Sequence, residues 1–369
     1  MKKVFLHQTN IISPLGFSTE ENFRAVCAGN TAIQPVTIAE PIGTIYAGKI
    51  KEEVFAKMYP KMSSLEIPRI EKYILAALEP LVAQRGISED SLLIISTTKG
   101  NISALEKHQI EAAHLGTTAT YIQNYFGFAQ KPLIISNACV SGVMALSVAK
   151  RLIQMEQASE IYVVAFDELV PFIISGFQSL QAMSDTICKP YDIDRKGVNL
   201  GEGAAAVFIN TEKEEKGIEL IADANINDAN HISGPSRTGE GLYLSITQAI
   251  KEANIDVSQI DYISLHGTAT IYNDEMESIA LSRAALDHVP ANSFKGYYGH
   301  TLGASGLLET ILTMECMKNN KLIPTYGFET LGVSLPIAVI TQLQEQPIHY
   351  ALKTASGFGG SNSAILLKK

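Results

Sequence analysis

The chain is short of the features that mark several large protein classes. Its 369 residues include only four cysteines, Cys27, Cys139, Cys188 and Cys316, which lie far apart. No metal-ligand spacing links them, which argues against a disulfide framework or a zinc module. No stretch approaches about 18 uninterrupted apolar residues, so no membrane-spanning helix is expected. Met1-Lys-Lys-Val-Phe-Leu6 runs at once into His7, Gln8 and Asn10, which leaves no apolar core for a secretory signal. Reduced thiols and a cytoplasmic location are the expectation. An excess of positive charge is missing too: the net charge is −9, which argues against general nucleic-acid affinity. Hydrophobic residues at 46% and charged residues at 18% indicate a compact globular chain, with no linker or low-complexity segment dividing it.

What is present is an alternation of apolar runs and helical patterns. Residues 91–96, 133–136, 160–165 and 204–209 read as strands, followed in the second half by 218–225, 262–265 and 364–367. Helical patterns such as 70–85 and 241–254 lie between them. Near-continuous apolar strands separated by helices indicate a layered α/β protein with its sheets buried on both faces. The densest charge cluster, Glu212-Lys-Glu-Glu-Lys-Gly217, reads as a solvated connection. It divides the chain into halves, 1–212 and 213–369.

Cys139 sits in Pro132-Leu-Ile-Ile-Ser-Asn-Ala-Cys-Val-Ser-Gly142. Residues 133–135 read as a short buried strand, and the run from Ser141 to Ile153 reads as a helix buried almost all round. The cysteine therefore falls on a strand-to-helix turn. Unpaired N–H groups and the positive end of the helix dipole favour a thiolate there. The same N–H groups can donate to a carbonyl oxygen that becomes negative under attack. Taken alone, a free cysteine is more often a buried small hydrophobe without a chemical role.

Two histidines change that balance. His266 ends the apolar run of Tyr262-Ile-Ser-Leu-His-Gly-Thr268, and His300 stands between Gly299 and Gly303 at the entry to a helix. A third glycine cluster, Ser356-Gly-Phe-Gly-Gly-Ser-Asn362, precedes the final strand. A cysteine can accept an acyl group as a thioester, and imidazole N–H groups can stabilise a developing enolate oxygen. Cys139, His266, His300 and loop 357–360 are expected to converge in one pocket.

In this order the segments resemble the β-ketoacyl-acyl carrier protein synthases, in the elongating Cys-His-His branch of the thiolase superfamily. The matching segments are the nucleophile turn, the His-Gly-Thr run, the Lys295–Gly306 stretch and the Gly-Phe-Gly-Gly loop. Two more blocks match, Ile12-Ser-Pro-Leu-Gly16 and the segment from Lys189 to Ala206. The resemblance implies a thiolase-like five-layered α-β-α-β-α fold of two similar halves. It also implies decarboxylative condensation of malonyl-acyl carrier protein with an acyl chain on Cys139. In that scheme the backbone N–H groups of Cys139 and Phe358 form the oxyanion hole, and Phe358 gates the pocket. His266 and His300 stabilise the enolate, and Lys295 and Glu309 support His300. No cofactor or metal is implied, because the substrates ride on the phosphopantetheine of the carrier protein. The implied partners are an acyl carrier protein and a second subunit docked on the sheet edge near 133–135. That subunit is either a second copy or, in a heterodimer, a paralogous ketosynthase.

Some residues depart from the family pattern. Val140 follows the nucleophile where a small residue is usual, Ala269 and Ile271 alter the His-Gly-Thr run, and Thr354-Ala-Ser precedes the glycine loop. The chain is also shorter than typical elongating members, mostly before Cys139. These departures point to a specialised lipid of polyene or polyketide type, and leave open a non-condensing partner subunit. Lys57, Lys61, Arg69 and Lys72, with Arg195 and Lys196, are candidate docking charges for an acidic carrier protein. Asn273, Asp274 and Glu277 read as structural.

Overall fold

The computed structural model describes residues 2–230 and 232–369. Ten strands build the main sheet. Those of the first half are β1 (Phe5–Ile12), β2 (Ser91–Ser96), β3 (Leu133–Ile135), β4 (Glu160–Asp167) and β5 (Gly203–Asn210). Those of the second are β6 (Ile218–Asn227), β7 (Tyr262–Ser264), β8 (Ala291–Asn292), β9 (Tyr350–Gly357) and β10 (Ser361–Lys368). The helices that position the site are α1 (Arg69–Arg85), α2 (Ser141–Gln154), α3 (Pro171–Ser179), α4 (Glu240–Ala253), α5 (Ile271–Arg283), α6 (Lys295–Tyr298) and α7 (Ser305–Asn319).

The spatial order is β8-β7-β9-β10-β6-β1-β5-β4-β2-β3. It splits at the β6–β1 contact into two runs built alike. From its outer edge inward, each run places the third, second, fourth, fifth and first strands of its half. Directions match as well: β2 is parallel to β3 and β4, as β7 is to β8 and β9. β5 runs antiparallel to β4 and β1, as β10 does to β9 and β6. The halves join where Phe5 and Leu6 pair antiparallel with Glu219 and Ile218. The charged hexapeptide lies in the connection between β5 and β6.

Side-chain alternation sends each strand into two cores. Leu93 and Ile95 join the cluster of Ile74 and Leu78 from α1, whereas Ile94 joins the cluster around α2 and α7. Likewise Ala364 and Leu366 pack in the cluster of Leu242 and Ile246 from α4, whereas Ile365 and Leu367 face α2 and α7. The layers are thus α1, the first sheet, α2 with α7, the second sheet, and α4 with α5. Strands buried on both faces explain the unbroken apolar runs in the sequence. β3 differs from expectation. It is the outer edge of its sheet and not a buried strand, and Leu133 is 38% exposed. Among the described residues no helix is long and apolar enough to cross a membrane.

The central helices meet at two glycines. A Cβ on Gly142 would lie 2.6 Å from Leu307 N, and one on Gly306 would lie 2.7 Å from Val143 N. Only residues without a side chain let the first turns of α2 and α7 touch backbone to backbone. That contact draws together the segment entering α2, which carries Cys139, and the segment entering α7, which carries His300.

Candidate active site

Cys139, His266, His300 and Phe358 line one cavity of about 340 Å³. The four positions singled out in the sequence therefore do come together. Cys139 stands just before α2, whose N-cap is Val140. Ala138 holds φ at 44°, a left-handed conformation that a residue with a Cβ adopts at a cost on the order of 1 kcal/mol. The turn is pinned by Ser141 Oγ, which accepts from Asn137 N (2.8 Å) and donates to Ala138 O (2.6 Å). Gly357 lies against it, and a Cβ there would fall 3.0 Å from Cys139 N. This close approach brings the Phe358 backbone N–H near enough to the Cys139 sulfur to favour its thiolate.

The thiol itself departs from the sequence expectation of a thiolate. Cys139 is 8% exposed, and burial pushes its thiol up to about 12. The Lys295 ammonium pulls the other way, Asp167 adds to the rise, and the Phe358 N–H and Lys99 again oppose it. Desolvation is the largest of these causes and favours the thiol over the thiolate.

The two imidazoles are packed edge to face, with ring centroids 5.3 Å apart and an interplanar angle of 86°. His300 Nδ1 lies 2.9 Å from Ser305 Oγ, which leaves Nε2 for the cavity. Its backbone N donates to Asn199 O at 2.7 Å. The His266 turn hangs on Glu277, whose Oε1 accepts from His266 N (2.8 Å) and Oε2 from Gly267 N (2.7 Å). Tyr191 Oη and Asn273 Nδ2 also donate to Glu277, and Asp274 accepts from Thr268 N and Tyr191 N. Asn273, Asp274 and Glu277 thus shape the loop. Burial holds both imidazoles well below their ordinary value, and Lys295 is the next largest cause for each. Lys353 pushes the same way on both rings, as does Lys99 on His300. Neutral imidazoles keep one N–H donor each.

Two buried ionic groups flank the cavity. Glu309 accepts from Lys295 Nζ and from Lys353 Nζ, each at 2.6 Å. Asp167, at the end of β4, accepts from Lys99 Nζ (2.7 Å), Gly303 N (2.7 Å) and Thr98 N (3.0 Å). It thereby ties the loop after β2 to the His300 segment. Sequence reading found Lys295 and Glu309 but missed Asp167, Lys99 and Lys353. The available signal was a charged residue within or at the end of an otherwise apolar strand, since such a group needs a buried partner. Phe358 is 39% exposed and stacks on Phe177 of α3, with centroids 5.7 Å apart.

The expected docking charges are not all free. Arg69 is tied to Glu202 at 2.7 Å, and the Arg195 side chain is 7% exposed, donating to Gly332 O and Asp192 O. Lys57, Lys61 and Lys196 are exposed, and Lys72 is half-buried. Among the described residues no group of three or more His, Cys, Asp or Glu could hold a metal ion.

Residues 9–215 match the beta-ketoacyl synthase N-terminal domain, and residues 219–329 match the C-terminal domain. The chain belongs to the β-ketoacyl synthase family. It is 27% identical to 3-oxoacyl-[acyl-carrier-protein] synthase 2 of Rhizobium meliloti, covering 100% of this chain and 99% of that protein. That alignment spans 421 positions, so the relative carries insertions that this chain lacks. A relative from Schizosaccharomyces pombe, 26% identical over 100% of this chain and 99% of its own length, is named as mitochondrial. Among solved structures, the fold is similar to the ketosynthase ApeO in complex with its chain length factor ApeC from Xenorhabdus doucetiae. There the TM-score is 0.88 and the identity 25%, over 100% of this chain and 98% of the matched chain. A β-ketoacyl synthase from Burkholderia phymatum matches in fold with a TM-score of 0.87 at 23% identity, over 100% of both chains.

Proposed function

We propose that this chain is an elongating ketosynthase that joins a Cys139-bound acyl group to a two-carbon unit from malonyl-acyl carrier protein. The observation that carries the reading is one cavity lined by Cys139, by two histidines held neutral by burial, and by Phe358. Cys139 attacks the thioester carbonyl of an acyl-carrier protein, and the proton that its thiol gives up ends on the departing phosphopantetheine sulfur. The oxyanion is held by the N–H groups of Cys139 and Phe358 until the phosphopantetheine thiol departs. Malonyl-carrier protein then loses CO2. The electrons of the broken C–C bond move onto the thioester oxygen, where His266 and His300 donate. The carbon nucleophile attacks the acyl-Cys139 carbonyl, the C–S bond breaks, and a β-ketoacyl-carrier protein two carbons longer leaves. Lys295 and Glu309 support His300, and Phe358 gates the entry by leaving its stack on Phe177.

In this reading the halves are 1–212 and 213–369, and the chemistry needs no cofactor beyond the phosphopantetheine of the carrier protein. The open edge of β3 carries a second copy, which covers the unpaired strand. Light scattering at micromolar concentration should then give a dimer. The enzyme works in the cytoplasm on a fatty acid or a polyene- or polyketide-like lipid. The direct test is incubation with acyl- and malonyl-carrier proteins, followed by mass spectrometry for the extended product.

A second reading is favoured by the likeness to a ketosynthase–chain length factor complex. In it the chain is the partner subunit of a ketosynthase heterodimer and performs no condensation itself. Obligate co-purification with a paralogue, together with no acylation of Cys139, would select it.

A further inference from the structure

Lys353 sits in the middle of β9, between Leu352 and Thr354, and is fully buried. An ammonium group removed from water persists only beside a close counter-charge. Its counter-charge is Glu309 Oε2 on α7, at 2.6 Å, yet the other oxygen of that carboxylate already holds Lys295 from α6 at 2.6 Å. Two buried ammonium groups thus share one carboxylate. Lys353 Nζ also lies 3.3 Å from Leu265 O and 3.4 Å from Ser264 O, the carbonyls directly before His266. Lys295, five places before His300, anchors the other histidine segment to the same Glu309.

The other charged groups near the rings are already occupied. Glu277, facing Lys353 from α5, has both oxygens taken by the backbone N–H groups of His266 and Gly267. On the Cys139 side Lys99 and Asp167 form a one-to-one pair. Asp274 accepts backbone N–H groups, with Arg195 4.0 Å away. Within direct contact distance the two ammonium groups of the Lys295–Glu309–Lys353 group share one carboxylate, Glu277 acting on Lys353 only as a more distant counter-charge, and both lysines act on the two imidazoles.

We propose that Lys353 is a positioning residue that locks the His266 strand end to the carboxylate holding the His300 segment, and that places positive charge behind the oxyanion they share. This rests on the ketosynthase reading above. The charge serves two ends. It favours the enolate electrostatically, and it keeps both rings uncharged, the direction in which Lys353 shifts each of them. A cationic imidazole would pass its proton to the enolate outright and quench the carbon nucleophile.

The test compares Lys353→Met with the double variant Lys353→Met/Glu309→Gln, which restores the net positive charge of the group through Lys295 alone. In Lys353→Met the rings of His266 and His300, followed by NMR titration, should protonate at higher pH than in the wild type. The acid limb of CO2 release from malonyl-carrier protein should move up with them. Its kcat should fall on the order of tenfold, less than for loss of a donor, with KM unchanged. The double variant should return the titrations and the acid limb toward the wild-type positions. Lys353→Gln keeps an N–H for the two carbonyls and replaces the Met variant if that does not fold; the same upward shifts are expected. Unshifted titrations with a wild-type rate would overturn the proposal. So would a rate loss that the double variant leaves uncorrected, which is the mark of a purely structural lysine. If the wild type released no CO2 at all, the ketosynthase reading would fail, while the ring titrations would still decide what Lys353 does.

Discussion

The two halves share one strand order and one set of strand directions, yet matching positions carry different chemistry. After the second strand, the first half presents Thr97, Thr98 and Lys99, and the second presents His266, Gly267 and Thr268. After the third strand come Cys139 in one half and Lys295 with His300 in the other, each leading into a central helix. The fourth strand ends in Asp167 in one half and in the Gly357–Phe358 turn in the other. In the proposed reaction the first half thus offers the nucleophile, beside a one-to-one ion pair, and the second offers both donors, beside a carboxylate shared by two lysines. The fold decides where the loops converge, and the loop residues decide what each half does there.

The largest expected effect separates the halves outright. Cys139→Ala should abolish condensation, read as loss of the extended β-ketoacyl product by mass spectrometry. Next come the two buried carboxylates. Glu309→Ala strands two ammonium groups and should cost about 3–5 kcal/mol in chemical denaturation, the range for a broken buried pair. Asp167→Ala strands only Lys99 and should cost less, so a larger loss there would reverse the comparison. At the seam, Gly306→Ala puts a Cβ 2.7 Å from Val143 N and should cost about 1–3 kcal/mol as overpacking. The smallest effect is in pH. His266 and His300 have folded values well below the 6.5 of an unfolded histidine. Below about pH 6.5 the unfolded chain therefore takes up protons that the folded chain refuses, and stability should fall as pH drops through that window. Replacing either histidine with glutamine should flatten the slope in a pH series of denaturation midpoints.

Much of this was legible because the signals are local. The run 91–96 coincides with β2, and 70–85 falls within a residue of α1, since unbroken apolar stretches and helical periodicity report burial directly. The Cys139 turn and the two histidines stood out by their glycines, which the contacts at Gly142, Gly306 and Gly357 explain as close backbone approaches. Two things were not legible. An apolar run such as 133–135 looks the same whether a sheet covers it or ends at it, so β3 read as buried. The ionic groups join residues distant in sequence, Lys353 with Glu309 and Lys99 with Asp167, and no spacing rule links such partners. The upward push on the Cys139 thiol was not legible either, because it comes from burial, which the sequence around the turn does not report.

The division of labour between the halves is tested most directly by CO2 release from malonyl-carrier protein in Cys139→Ala and His300→Ala, measured side by side. Cys139→Ala should still decarboxylate, because the enolate is held by the second half. His300→Ala should lose roughly 10²–10³-fold, the usual cost of one donor to a developing oxyanion. Normal decarboxylation by His300→Ala, or its loss in a folded Cys139→Ala protein, would contradict the assignment.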